Sequence, residues 1–235
     1  MPRPVALFRH YPSEGPAFLG EFLTERGCPW QLLALDEGVP VPASAEGYAG
    51  LAFMGGPMSV NDDLPWIPPV LQLIRDAVAR GVPVLGHCLG SQLMSRALGG
   101  IVTRNPLKEI GWGAVRVADS AAARHWFGPA ERFDVFHWHG ETWSLPAGAE
   151  LLAGSEACPH QAFALGPHLG MQFHVEMTEA YVRSWCEGGR REIESSRSPA
   201  VQPVAEILEQ MPQKLPPMTR MARHVYGVWM QGLSR

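Results

Sequence analysis

Pro83-Val-Leu-Gly-His-Cys-Leu-Gly-Ser-Gln-Leu-Met-Ser-Arg-Ala-Leu-Gly-Gly100 is the stretch whose reading decides the fold. Val82, Val84 and Leu85 suit a short buried strand, and Leu93, Met94, Ala97 and Leu98 then recur at helical spacing until Gly99 and Gly100 end the helix. Cys88 therefore falls in a strand-to-helix turn. Gly86 and Gly90 flank it as Gly-x-Cys-x-Gly, the cysteine counterpart of the serine nucleophile elbow, where a strained turn admits nothing bulkier than glycine beside the nucleophile. Unpaired N–H groups and the positive end of the helix dipole at such a turn favour thiolate over thiol. Taken alone, the motif suits a packed cysteine equally well, so the flanking sequence decides.

Upstream, strand and helix alternate. Val5 to Phe8 is an apolar run, Phe18, Leu19, Phe22 and Leu23 share a helical face, Gln31 to Leu35 reads as a strand, and Gly50-Leu-Ala-Phe-Met-Gly-Gly-Pro57 as another entering a glycine turn. Pro68 and Pro69 open a helix whose Val70, Leu73, Ile74, Ala77 and Val78 fall on one face before Gly81. This alternation predicts a parallel sheet covered on both faces, with a site at the carboxyl ends of its strands, where Gly55-Gly56 and Cys88 both fall.

Downstream of Gly100 the pattern changes to short β-like runs, Ile101 to Thr103 and Ala114 to Val117, then the aromatic-rich Phe133 to Trp143, Leu151-Leu152, Ala162 to Leu165 and Met171 to Val175. These predict an antiparallel extension. Helical character returns at Thr178 with Tyr181, Val182 and Trp185, and two terminal helices are expected, Val204 to Met211 and Met218 to Met230, separated by Pro212 and Pro216-Pro217. The expected organisation is one α/β domain over 1–195 and a helical extension over 196–235 packed on it. There is no internal repeat.

The 235 residues are 46% hydrophobic and 18% charged, the balance of a globular protein with a full core. A net charge of -4 without a basic cluster argues against a nucleic-acid partner. No run approaches the length of a membrane span, and the N-terminus lacks a signal-peptide core. Cysteines 28, 88, 158 and 186 show no paired spacing, which fits a reducing cytoplasm.

A partner for Cys88 is visible in Met171-Gln-Phe-His-Val-Glu176. On a strand His174 and Glu176 share a face with Cα atoms ~6.6 Å apart, close enough for the carboxylate to reach the imidazole Nδ1–H while Nε2 faces away. A base oriented by an acid is what a thiol nucleophile requires. Alone the pair would more readily be two solvated groups on an edge strand; with Cys88 the catalytic reading gains. The Gly55-Gly56-Pro57 turn and the Leu89 N–H supply two donors for an oxyanion. His137-x-His139 invites a metal reading with Cys88 or His174, but Phe136, Trp138 and Trp143 favour a packed segment and no acidic or cysteine pair completes a ligand set, so no metal is expected. His87 suits either packing or a polar contact near the site.

Four ordered segments, Met54-Gly-Gly-Pro-Met-Ser-Val60, Gly86-His-Cys-Leu-Gly-Ser-Gln-Leu93, His137-Trp-His-Gly-Glu-Thr142 and Met171-Gln-Phe-His-Val-Glu-Met177, resemble the class I glutamine amidotransferases, most closely a stand-alone branch similar to the glutaminase domain of GMP synthase. The resemblance covers about Leu51 to Thr178. It implies a flavodoxin-like three-layer α/β/α fold, a Cys88-His174-Glu176 triad, an oxyanion hole from the backbone of Gly56 and Leu89, and substrate contacts from Met58, Gln92, Trp138, Gly140 and Glu141. Met58 stands where the family often has glycine, so its contact requires a backbone free of positive φ. Val175 stands where the family usually has proline, so the bend between His174 and Glu176 is not fixed by a ring.

The expected activity is hydrolysis of the glutamine side-chain amide through a glutamyl thioester, releasing ammonia, with neither metal nor organic cofactor. The acceptor of the ammonia is left open by the sequence, a separate synthetase chain being one candidate. Two alternatives are hydrolysis of other γ-glutamyl compounds by the same triad, and a non-catalytic partner module of a synthetase.

Overall fold

The computed structural model describes residues 2–233. Within them the chain forms one nine-stranded sheet, in the order β2-β1-β3-β4-β9-β8-β7-β5-β6. β1 (Val5–Arg9), β2 (Trp30–Ala34), β3 (Gly50–Phe53), β4 (Val84–His87) and β9 (His168–Met171) pair in parallel. This half has the flavodoxin-like order, in which the direction of strand addition across the sheet reverses between β1 and β3 and opens a crevice at their carboxyl ends. β8 (Ala162–Leu165), β7 (Glu150–Gly154), β5 (Val102–Val117) and β6 (Arg132–Trp143) continue the sheet in antiparallel fashion.

The parallel strands are apolar on both faces, as a doubly covered sheet demands. Val5, Leu7, Ala52 and Leu85 face one core; Ala6, Phe8, Leu51, Phe53 and Val84 face the other. The second core is closed by α2 (Ile67–Ala79) and α3 (Leu89–Ala97), the first by α1 (Ala17–Glu25), α4 (Ala121–Phe127), α5 (Glu179–Gly188), the short α6 (Arg190–Ser195) and α7 (Val204–Gln231).

Three sequence expectations give way. The terminal helices are one 28-residue helix, α7, running through Pro212, Pro216 and Pro217. A stripe of Ile207, Met211, Met218, Ala222, Val225, Tyr226 and Trp229 packs continuously on the core, and this burial outweighs the backbone hydrogen bonds the prolines forgo. The runs at Ile101 and Ala114 belong to one strand, β5, whose register against β6 shifts between Arg104 and Glu109. Finally, the strand expected over Met171 to Val175 stops at Met171; beyond it His174 is held by a single bridge to Phe136, its N–H 2.8 Å from the Phe136 carbonyl.

Candidate active site

Cys88 sits between β4 and α3 with φ 48° and ψ −107°. The two glycines are sterically required. A Cβ on Gly86 would lie 2.6 Å from the Gly90 carbonyl carbon, and one on Gly90 would lie 2.1 Å from the Phe53 carbonyl oxygen. The Cys88 N–H donates to the Met171 carbonyl at 2.8 Å, which ties the elbow to the end of β9. Its thiol points toward the Trp138 carbonyl (3.7 Å), and the Gln172 side-chain amide donates toward its sulfur (3.5 Å).

His174 and Glu176 are buried rather than solvated on an edge. Imidazole Nδ1 lies 2.6 Å from Glu176 Oε1, while Nε2 has no hydrogen-bond partner among the described residues. Burial on its own pulls the pKa of His174 down. The negative charge of Glu176, the nearby Cys88 sulfur and the Glu176 hydrogen bond outweigh it and hold the imidazole well above its ordinary value. The Glu176 carboxyl, which burial alone would raise, is held below the usual range by His87 and His174. The loss of proline at position 175 leaves the His–Glu contact intact, because the Phe136 bridge and the buried Phe173 and Val175 side chains fix the segment.

A cleft of about 690 Å³ opens over this group. Of the residues expected at the site, Gly56, Met58, Cys88, Gln92, Trp138, Gly140, Glu141 and His174 line it. Glu176 lies behind His174. Leu89 is the first residue of α3, where a helix offers a free N–H, and its side chain lies against Gly56, where a Cβ would stand 2.8 Å from Leu89 Cδ2. Met58 does not have positive φ. Gln92 is buried and engaged with another side chain, its amide donating to Gln172 Oε1 at 3.2 Å.

The family model described as glutamine amidotransferase class-I matches residues 19–181. The chain belongs to that family. It is 33% identical over 193 residues to the glutamine amidotransferase-like protein YfeJ of Salmonella typhimurium, covering 76% of this chain and 80% of that one. It is 39% identical over 130 residues to the glutamine-hydrolysing GMP synthase of Thermomicrobium roseum, a match spanning 54% of this chain but 23% of the synthase. Among solved structures, the glutamine amidotransferase of Methylobacillus flagellatus superposes with a TM-score of 0.98 at 43% identity, covering 100% of this chain and 97% of that one. That of Thermotoga maritima does so with 0.88 at 26%, covering 98% and 99%. The chain is thus a cysteine-dependent enzyme of the glutamine amidotransferase kind. No helix among the described residues is long and apolar enough to cross a membrane.

This amidotransferase places further groups at the cleft that the sequence did not single out. Glu14, in the loop after β1, lines it; burial pushes its carboxyl up to about 7, with His174 opposing and Glu176 adding to the rise. Its Oε2 lies 2.2 Å from where a Gly55 Cβ would stand, so the bare Gly55 backbone is what admits it. Gln172, two residues before His174, is another, its side-chain amide turned to the Cys88 sulfur. His87 is fully buried behind the site, its Nε2 3.0 Å from the Tyr226 hydroxyl of α7 and 3.7 Å from Glu176 Oε2. No local signal in the sequence joins residue 226 to residue 87.

The expectation that no acidic residue completes a ligand set with His137 and His139 also fails. The antiparallel register of β5 and β6 sets Glu109 directly opposite His139, and ligand atoms of Glu109, His137 and His139 lie within 4.8 Å of one another. Burial drives the pKa of His137 down to about 4, with Glu109 opposing and His139 and His174 reinforcing. The neutral form of His137 follows at neutral pH.

Proposed function

We propose that the chain hydrolyses the side-chain amide of glutamine with Cys88 as nucleophile, His174 as acid and base, and Glu176 as the group that orients His174. The observation that carries this reading is the buried 2.6 Å contact between His174 Nδ1 and Glu176 Oε1, with the Cys88 sulfur beside the same imidazole, whose Nε2 has no partner among the described residues. His174, held protonated beside Glu176, carries the proton given up by Cys88, and the Cys88 sulfur attacks the amide carbon. The N–H groups of Gly56 and Leu89 receive the oxyanion, and His174 returns the proton to the departing nitrogen, releasing ammonia and leaving a γ-glutamyl thioester. Water then gives a proton to His174 and adds to the thioester; collapse breaks the C–S bond, the sulfur regains its proton from His174, and glutamate leaves.

The matching glutamine-hydrolysing domain of a GMP synthase supports delivery of the ammonia to a separate synthetase chain. Met58, Gln92, Trp138, Gly140 and Glu141 are proposed to hold the amino-acid end of the substrate. A second reading, hydrolysis of larger γ-glutamyl amides, is favoured by the cleft itself. At about 690 Å³ it has the size of pockets that hold drug-sized ligands, well beyond one glutamine.

Intact mass after exposure to a diazo-ketone glutamine analogue tests the chemistry. One adduct is expected on the native protein and none on Cys88→Ala; an adduct that persists in Cys88→Ala, or none on the native protein, refutes Cys88 as the nucleophile. Ammonia release from glutamine compared with amine release from γ-glutamyl amides then decides between the two substrates.

A further inference from the structure

We propose that Glu109, His137 and His139 bind a divalent transition-metal ion of the zinc class, pinning β5 to β6 directly behind the cleft. Two imidazoles and one carboxylate are a set that zinc and its neighbours take. The inference does not depend on the proposed glutamine chemistry.

The argument starts with the hydrogens. His139 Nδ1 lies 3.0 Å from the Glu141 carbonyl oxygen, which only accepts, so Nδ1 carries the hydrogen. The neutral ring then turns the lone pair of Nε2 toward Glu109 Oε2, another acceptor, at 3.0 Å. The Gln161 amide reaches His139 Nε2 only at 3.5 Å while donating to Glu109 Oε2 at 2.7 Å and to Ser155 at 3.1 Å, so a cation between the two acceptors holds them better than this shared donor. A proton on His139 satisfies that pair alone and leaves His137, 2% exposed, with both ring nitrogens lacking a hydrogen-bond partner among the described residues. His137 Nε2 lies 3.9 Å from the other oxygen of the same carboxylate. One divalent ion answers both demands.

The surroundings are those of a supported ligand set. Ser155 donates to Glu109 Oε1 at 2.9 Å and the Gln161 amide to Oε2 at 2.7 Å, and a carboxylate keeps further lone pairs for the histidine side. The Glu141 carbonyl fixes the His139 tautomer in the way that outer partners of metal-bound histidines do. The register shift ending at Glu109 aims its side chain, as β-bulges commonly do. Gly113 makes room: a Cβ there would lie 2.6 Å from the His137 ring. Tetrahedral zinc with bonds of ~2.0–2.2 Å separates its ligand atoms by ~3.3 Å; the present separations, 3.0 and 3.9 Å from the two histidines to Glu109 and all within 4.8 Å, need to close by about 1.5 Å at most. His139 also lines the cleft, which gives an ion a way in.

The test uses tag-free protein carrying Cys88→Ser, which removes the cleft sulfur as a competing ligand. Zinc content is measured after purification without chelator; stripped protein is then titrated with Zn²⁺ against a chromogenic chelator, and with Co²⁺ for its visible bands. One tight equivalent is expected. Glu109→Gln, which keeps the shape and most hydrogen bonds, and His137→Ala are each expected to weaken it more than ~100-fold, beyond the loss typical of an outer partner. Zn²⁺ is expected to raise the melting temperature of the stripped parent and leave that of Glu109→Gln unmoved. Glu109→Gln carries the test where His137→Ala does not fold. No zinc bound at micromolar concentration, or binding unchanged in Glu109→Gln, overturns the proposal and leaves a metal-free His139–Glu109 contact.

Discussion

Replacing Cys88 by glycine is expected to give a more stable protein than replacing it by alanine, the reverse of the usual order. Both substitutions remove the sulfur and its contacts with Trp138 and Gln172, so they differ only in a Cβ. At φ 48° and ψ −107° the residue lies outside the left-handed helical well and close to the first central position of a type II′ turn, a glycine conformation. Strain of this kind costs a residue with a Cβ ~1–3 kcal/mol, and the geometry argues for the upper half of that range. Against it stand the greater freedom of glycine in the unfolded chain, ~0.5–1 kcal/mol, and the burial of one methyl group, up to ~0.8 kcal/mol. The balance favours glycine by about 1 kcal/mol. In a chain of this length that is ~2–4 °C in melting temperature. Urea unfolding of both variants, with slopes compared to confirm the same transition, measures it. Alanine equal to or more stable than glycine would refute the claim that the elbow stores strain at Cys88.

Glu176→Gln keeps the size of the side chain but removes the charge that holds His174 protonated; glutaminase kcat is expected to fall ~10³–10⁴-fold while the fold persists, as circular dichroism would report. Glu14 binds its proton more tightly folded, at about 7, than unfolded, so folding stability contributed by this group is present at low pH and is lost as pH rises from 4.5 through 7. Glu14→Gln is therefore expected to stabilise the protein by ~1–3 kcal/mol at pH 8 and by nothing at pH 4, measured by denaturant titration at both. Tyr226→Phe strips buried His87 of its 3.0 Å hydrogen bond and is expected to cost ~1–3 kcal/mol, read as a shifted urea midpoint with unchanged slope.

The parallel half of the fold was legible because its signals are local. Gly86 and Gly90 mark the elbow by steric necessity, and Val70, Leu73, Ile74 and Ala77 mark α2 by period. Cys88, His174 and the Gly55-Gly56 turn were likewise readable, since each follows a strand that ends at one edge of the sheet. What escaped depends on pairings between distant segments. Glu109 meets His139 only through the β5–β6 register, and Tyr226 meets His87 only because α7 lies across the sheet. The prolines of α7 misled for a related reason: local propensity argues for breaks, and a continuous apolar stripe against the core decides otherwise.

The strand order has a consequence for how the chain is made. β9, the strand that fills the gap between the parallel and antiparallel halves, comprises residues 168–171, so it leaves the ribosome after every other strand. Until then β4 pairs with β3 on one side only, and its other edge, four residues long and wholly buried in the finished protein, is bare. Unpaired apolar edges recruit other strands, and contacts between distant segments form slowly. A nascent chain stalled before residue 168 thus presents an adhesive edge at the very strand that carries the elbow, and escape from aggregation is a race between arrival of β9 and capture by a neighbouring chain.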